Sequence, residues 1–244
     1  VHEKEDNIER EQFEQTLLTM MGERTGEDLE VWNIFSDSDL TYDSGDSKSK
    51  KKFIRFLSNN DGWVKQSAKK LQSADVQAKL GTGTADYDPS AKTILKMFDA
   101  MIYAMPLRFR QRHLLRFYVP FEVEDAYRNY LANRGTPLGD SAQVGFNYPL
   151  TYKNIPIINC QSFDAEDVRE YLDLGYCMLT NPAQLLYGIW KNLTIEPDRI
   201  PKHERTDYYY RLRAGNNTKF NGKPTVTATL TLDELAEIAE DSRL

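Results

Sequence analysis

The stretch RFYVPFEVEDAYRNYLANRG, residues 116–135, changes its period in mid-course. Arg116-Phe117-Tyr118-Val119 is short and rich in aromatic and β-branched side chains, and Pro120 ends it, as expected of a buried strand. From about Glu122 the spacing becomes helical, with Val123, Tyr127, Tyr130 and Leu131 on one face and Gly135 placed as the C-cap. A strand that runs into an amphipathic helix is the unit around which the rest of the chain can be placed.

Just upstream, Arg108, Arg110, Arg112, His113 and Arg116 alternate with Phe109, Leu114, Leu115 and Phe117. This pattern fits a nucleic-acid patch with stacking aromatics. It fits equally well a loop that leads into the buried strand. Further upstream, Asp88 suits an N-cap, Pro89 the first helical position and Pro106 the stop of a helix. Ile94, Leu95, Met97, Phe98, Met101, Ile102 and Met105 form its apolar face, which reads as core rather than as a Met-rich peptide groove.

Downstream, residues 135–150 are punctuated by Gly and Pro and read as a long surface loop. Strands are expected at Ile155–Asn159 and Cys177–Thr180, with a helix around Asp164–Leu172 between them. Residues 185–232 are β-rich. Leu185–Trp190, Leu193–Ile195, Tyr208–Arg213 and Thr225–Leu232 are strand candidates, with turns at Gly215-Asn216-Asn217 and Asn221-Gly222. Asp233–Leu244 reads as an acidic helix or tail.

At the other end, a long helix is expected over Asn7–Phe35. Phe13, Leu17 and Met20/Met21 fall at i, i+4 and i+7, and Thr25, Leu29 and Trp32 repeat the spacing, so one face should be buried. Residues 36–52 read as an exposed, mobile loop. Their clustered aspartates fail the EF-hand pattern, which needs Gly at the sixth position and Glu at the twelfth, where Tyr42 and Lys48 stand. Phe53–Leu57 returns to the core, residues 62–72 hold a short helix, and Gly81–Asp86 reads as a linker. The class is α+β in two lobes.

The 244 residues carry 31 basic and 37 acidic side chains, a net charge of −6, which argues against a dedicated nucleic-acid binder. No apolar run approaches the ~20 residues of a membrane span, and no secretory signal opens the chain. The absence of an initiator Met suggests a processed chain or a piece of a longer one. Cys160 and Cys177 make neither a disulfide framework nor a four-ligand zinc site. Composition thus points to a soluble, intracellular protein.

Chemistry-bearing motifs are missing. His2, His113 and His203 are scattered, and no HExxH, CxxC or GxSxG occurs. Cys160 with His113 or His203 would make a thiol dyad, but a cysteine ending an apolar strand is ordinarily a small buried hydrophobe. Glu122/Glu124/Asp125 and Asp164/Glu166/Asp167 stand at expected helix starts, where they favour the macrodipole. The sequons at Asn192 and Asn216 read as chance matches. The reading assigns no catalytic, cofactor-binding or metal-ligating residue and no cofactor.

The order of FDAMIYAMPLRFR (98–110), RFYVPFEVEDAYRNYLANRGTPLGDSA (116–142), PLTYKNIPIINC (149–160) and MLTNPAQLLYGIWKNLTIEPDR (178–199) resembles the major capsid protein of tailed bacteriophages and prophages, the Johnson fold. The resemblance spans most of the chain after Asp88, and the N-terminal helix is similar to the family's spine helix. It implies an axial lobe at 89–188 and a peripheral lobe at 1–88 and 189–244. It also implies a non-enzymatic structural role: self-assembly into capsomers and an icosahedral shell that encloses viral DNA.

The implied partners are copies of the chain itself, with scaffolding, portal or decoration proteins as further candidates, and neither a membrane nor sequence-specific nucleic acid. The implied place is the virion capsid, assembled in the bacterial host cytoplasm. The chain departs from the family in starting almost at the spine helix, without an N-terminal arm or extended loop, so as given it is expected to be a monomer or weak small oligomer at micromolar concentration. The alternatives are an α+β enzyme or small-molecule-binding protein with an unrecognised site, and a nucleic-acid binder using Arg108–Arg116.

Overall fold

The computed structural model describes residues 2–72, 90–132, 150–172, 174–200, 205–231 and 235–236. Helix α1 (His2–Phe35) is followed by α2 (Lys48–Leu57), α3 (Trp63–Gln66), β1 (Lys69–Gln72), α4 (Ser90–Ala104), β2 (Arg116–Val119) and α5 (Phe121–Ala132). Then come β3 (Thr151–Tyr152), β4 (Ile155–Asn159), α6 (Glu166–Leu172), β5 (Leu174–Thr180), β6 (Leu185–Ile200), β7 (Arg205–Thr218) and β8 (Thr225–Thr231).

The 116–119 strand lies inside a six-stranded mixed sheet of order β1-β8-β5-β2-β4-β3. β2 runs parallel to β4 and antiparallel to β5, so Phe117 faces Ile157 on one side and Leu179 on the other. Side chains alternate across a pleated sheet. Phe117, Val119, Ile155, Ile157, Cys177, Leu179, Val226 and Ala228 therefore share one face, and α4 and α5 cover it with Phe98, Met101, Met105, Val123 and Tyr127. The Phe98 and Phe117 rings lie 4.6 Å apart. Met97, Met101 and Met105 are core, as their spacing indicates.

The opposite face carries Tyr118, Tyr176 and Met178. It is covered by Ile34 and Phe35 from the end of α1, Leu57 of α2, Phe163 and Val168. Phe35 packs edge-on against Phe163 at 5.4 Å and leans on Tyr176 at 5.3 Å. Strands β1 and β8, which the resemblance assigns to a peripheral lobe, thus hydrogen-bond in the same sheet as the axial-lobe strands β2, β4 and β5.

Several expectations change. Helix α1 continues unbroken through Gly22 and Gly26, but its apolar stripe is not buried: between residues 15 and 32 no side chain is fully covered, and Met20 is 62% exposed. Val31 packs half-buried against the core, and only Asn33, Ile34 and Phe35 of the last turn are buried in it. The polar run 36–52 is not one loose loop, because Ser47 caps α2 through Lys50 N and residues 48–52 are its first turns.

The remainder of that run is tied down. Ser38 N and Oγ donate to Asp61 at 3.0 and 2.8 Å, which lowers the Asp61 pKa. Lys65 binds Asp37 at 2.8 Å and also Asp39. The expected helix over 62–72 is one turn, α3, and then strand β1, whose only large apolar side chain, Leu71, is 2% exposed. The expectations at Gly81–Asp86, Asp88, Gly135 and 135–149 lie outside the described residues.

The Asn181-Pro182 turn, in which Asn181 Oδ1 accepts from Ala183 N, takes the chain out of the sheet into a separate two-stranded ribbon, β6–β7. Two irregularities in its register, at Ile189/Lys191 and Lys191/Thr194, explain why the sequence suggests two short strands instead of one of 16 residues. Gly215-Asn216-Asn217 is not a turn but continues β7 to Thr218. The Asn216 side chain pins the ribbon base: its amide donates to Asn33 O at 2.9 Å, and its oxygen accepts from Asn60 at 2.7 Å and Gln66 at 3.3 Å.

The turn at Asn221-Gly222 is present, with Phe220, Asn221 and Gly222 all at positive φ. Gly222 lies against the α3–β1 link, where a Cβ would stand 1.9 Å from Gln66 O, and its φ of +71° already excludes most side chains. Gly222→Ala is expected to cost about 2–4 kcal/mol in urea unfolding, from left-handed strain and the backbone clash together. Gly45→Ala, with open space around it, should stay within about 0.5 kcal/mol of wild type.

Candidate functional site

Among the described residues no cluster of three or more His, Cys, Asp or Glu could hold a metal ion. Cys160, at the end of β4, has its Sγ 3.8 Å from Glu30 Oε1 on α1, rather than in a pair with His113; His203 lies outside the described residues. Burial, with the Glu30 carboxylate adding to it, pushes the Cys160 thiol up to about 11. Cys177 is wholly buried and is raised further. Neither thiol is poised as a nucleophile, which depends on the thiolate.

The carboxylates at the helix starts do more than complement dipoles. Glu122 of α5 and Asp164, from the turn before α6, converge on Arg169 of α6. The guanidinium forks onto Glu122 with two bonds of 2.6 Å and reaches Asp164 at 2.5 Å. Asp164 also accepts from Phe121 N at 3.1 Å, capping α5 from across the sequence. Half-burial pushes the Glu122 carboxyl up, but the Arg169 fork outweighs it and the net shift is down. For Asp164 burial wins and the shift is up. This triad was hidden in the sequence, where 47 positions separate Glu122 from Arg169.

The arginine run is loop chemistry. Arg110 donates to Met105 O at 2.6 Å and to Tyr103 O at 2.5 Å, satisfying carbonyls at the end of α4. Arg116 donates to Leu115 O at 2.7 Å and His113 O at 3.0 Å. Arg108 lies over the Phe109 and Phe220 rings, 5.7 Å from each centroid. Three of the four guanidiniums thus serve the fold, which supports the loop reading over a nucleic-acid patch.

What stands out is surface. The β6–β7 ribbon exposes Trp190 at 87%, together with Ile189, Leu186, Tyr187, Tyr209 and Tyr210. A groove of about 700 Å³ separates the ribbon from α1, with Leu29, Trp32 and Asp28 on the helix wall and Tyr210, Leu212 and Arg213 on the ribbon wall. A second groove, of about 680 Å³, runs between α1, α2 and α6 past Val31, Phe53 and Tyr171. Both are open, mixed-charge clefts with no convergent set of reactive groups. Arrays of exposed aromatics on an irregular ribbon suit macromolecular contact.

A solved phage-capsid structure shares this architecture. A chain of the satellite phage P4 procapsid, in a structure that includes the size determination (Sid) protein, superposes with a TM-score of 0.51 over 88% of this chain and 66% of its own, at 12% identity. The chain has a phage-capsid fold. A weaker likeness, with a TM-score of 0.39 and 14% identity, covers 67% of this chain and 51% of a chain of the bacteriophage PhiM1 mature capsid.

In sequence, the capsid-fold chain is 26% identical over 200 residues to YqbE of Bacillus subtilis (strain 168), provisionally named a prophage capsid protein. That alignment covers 80% of this chain, which spans about half (55%) of its relative's length. No family model matches. The expected capsid-type α+β class is therefore borne out. No helix among the described residues is long and apolar enough to cross a membrane.

Two measurements check the buried chemistry. Arg169→Met is expected to cost about 1–3 kcal/mol at pH 7, because it strands two partly buried carboxylates. The ionised carboxylates need the guanidinium, so the gap between wild type and variant is full at pH 7 and shrinks as acid protonates them, beginning with Asp164, whose carboxyl burial already holds above the usual range. A gap that grows on acidification would contradict the triad. Alkylation of the native protein at pH 8 should find no fast thiol, the Cys160 rate rising only towards pH 11, and Glu30→Gln should speed it.

Proposed function

We propose that the chain is a structural subunit of a phage or prophage capsid, not an enzyme, and that it assembles with copies of itself into capsomers and an icosahedral shell around viral DNA. The observation that carries this reading is the P4 procapsid fold extending over 88% of the chain. The name of the Bacillus subtilis relative supports it. So does the division of labour within the chain, where a sheet sealed on both faces supports a helix and a ribbon that stay uncovered.

In this reading the peripheral lobe (1–88 and 189–244) holds α1 and the ribbon apart from residues 185–188 at the start of β6, and the axial lobe (89–188) holds α4, α5 and β2–β5. The shared six-stranded sheet is the seam between them. The place of action is the virion, after assembly in the bacterial cytoplasm. Scaffolding, portal and decoration proteins are the further partners, with neither a membrane nor specific nucleic-acid sequence. A net charge of −6 suits an inner wall that encloses DNA without gripping it.

The test is to purify from bacterial cytoplasm both these 244 residues and the same chain with any flanking sequence its gene encodes, and to follow each by analytical ultracentrifugation and electron microscopy. The expected result is a monomer or weak small oligomer at micromolar concentration for the former and rings or closed shells for the longest form. A longest form that never assembles overturns the reading.

A further inference from the structure

We propose that copies of this chain join end to end along the strands of the six-stranded sheet, the basic end of one copy seated on the acidic end of the next; this rests on the capsid reading and names the surfaces of one contact between copies. The topology sorts the charge. β2 begins, β5 ends and β8 begins side by side, since Arg116 pairs with Thr180 and Thr180 with Thr225. The segments that meet there, 100–116, 180–195 and 208–225, contain no Asp or Glu, although the chain has a net charge of −6.

At this basic end Leu107 is 80% exposed, and the Phe109 and Phe220 rings meet at 5.4 Å with Arg108 over both. Arg112, the guanidinium of the run that the fold does not use, is exposed, as are Lys219 and Lys223 on either side of the Phe220 turn. None of these three makes an ion pair among the described residues. Beside Arg108 a cleft of about 190 Å³ opens between Phe109, Leu114 and Pro224.

The other ends of the same strands carry the opposite sign. There β2 and β4 end together and β5 begins. Helix α5 starts at this end with Phe121, 59% exposed, followed by Glu122, Glu124 and Asp125. Asp164 draws the start of α6 alongside by accepting from Phe121 N. On α6, Glu166, Asp167 and Glu170 are exposed and make no ion pair among the described residues. An exposed aromatic beside unpaired carboxylates complements an apolar cleft beside unpaired cations.

Charge decides the orientation. Copies of net charge −6 repel one another in most approaches, and only basic end to acidic end brings opposite signs together. Phe121 supplies the anchor and the cleft beside Phe109 receives it, because an aromatic side chain in a desolvated pocket within a polar rim is the usual anchor of a protein contact. A nucleic acid suits the basic end less, since its most exposed apolar side chain is Leu107, which neither stacks on bases nor pairs with phosphate. The two surfaces differ and both lie on every copy. The contact is therefore heterologous and passes from copy to copy, closing into a ring where the rotation allows.

The experiment uses two charge-reversed forms of the chain, together with any flanking sequence its gene encodes. Arg112→Glu with Lys223→Glu makes the basic end acidic, and Asp167→Lys with Glu170→Lys makes the acidic end basic. Circular dichroism and urea unfolding check that each form folds. Sedimentation of either form alone is expected to show association weakened about tenfold or more, because like charges then meet. An equal mixture regains the wild-type association, because each reversed end finds its complement. Separately, a benzophenone amino acid at position 121, in a mixture of isotopically light and heavy copies, crosslinks between copies to 107–114 or 219–224.

Reversed forms that associate like wild type, a mixture no better than its components, or crosslinks from 121 to another surface overturn the proposal. So does a salt-dependent shift of duplex DNA by the basic end when 121 makes no crosslink between copies. If shells form although position 121 never reaches the basic end, the proposal falls and the capsid reading stands. If the two ends crosslink between copies but the longest form makes no shell, the contact stands and the capsid reading falls. Absence of both overturns both.

Discussion

A sheet whose two faces must both be kept from water organises this molecule. Burying apolar surface contributes roughly 25 cal/mol per Å², and strand β2 alone turns Phe117 and Val119 one way and Tyr118 the other. Two helices close the first face. The second is closed by pieces that are distant in sequence: the last turn of α1, the end of α2, and Phe163 with Val168. The polar ties follow from that requirement. Arg169 draws α5 and α6 together through Glu122 and Asp164, and Asn216 fastens the ribbon to the turn where α1 meets the sheet. Neither network would form unless packing had first brought its members within reach.

Much of this was legible in residues. The switch of period at Pro120 places β2 and α5 to within a residue or two, and the Met stripe of α4 is core. The order of segments that resembles capsid proteins points to the fold the P4 procapsid chain shares. Local rules worked where local sequence decides. They failed where tertiary partners decide. Lys69-Lys70 does not advertise a strand, yet pairing with β8 makes it one. Gly215-Asn216-Asn217 has turn composition, but Asn216 has its amide committed to three partners across the fold, and the strand runs through.

The surfaces were the least legible part. Periodicity in α1 indicates that a face is apolar but not what covers it, and in this chain nothing among residues 15–32 is fully buried. The ribbon poses the reverse problem. Its two bulges broke the alternating pattern, so the sequence suggested fragments in place of one long strand carrying an outward tryptophan. A pattern fitted to the core of one chain is blind to contacts between chains.

The place of β8 in the sheet has a consequence for how the protein comes into being. β8 lies between β1 and β5, antiparallel to β5 along its whole length and parallel to β1 over Val226–Thr229. The β1 pairing joins residues 157 positions apart, as Lys69 with Val226, a separation that slows folding because the loop must close before its contacts reward it. In chain order β1 comes early, and its sole strand partner among the described residues, β8, comes near their end. The core is sealed when β8 slides into its slot, after nearly all of the described chain has been made. Completion of the six-stranded sheet therefore waits on one of the last strands to be synthesised.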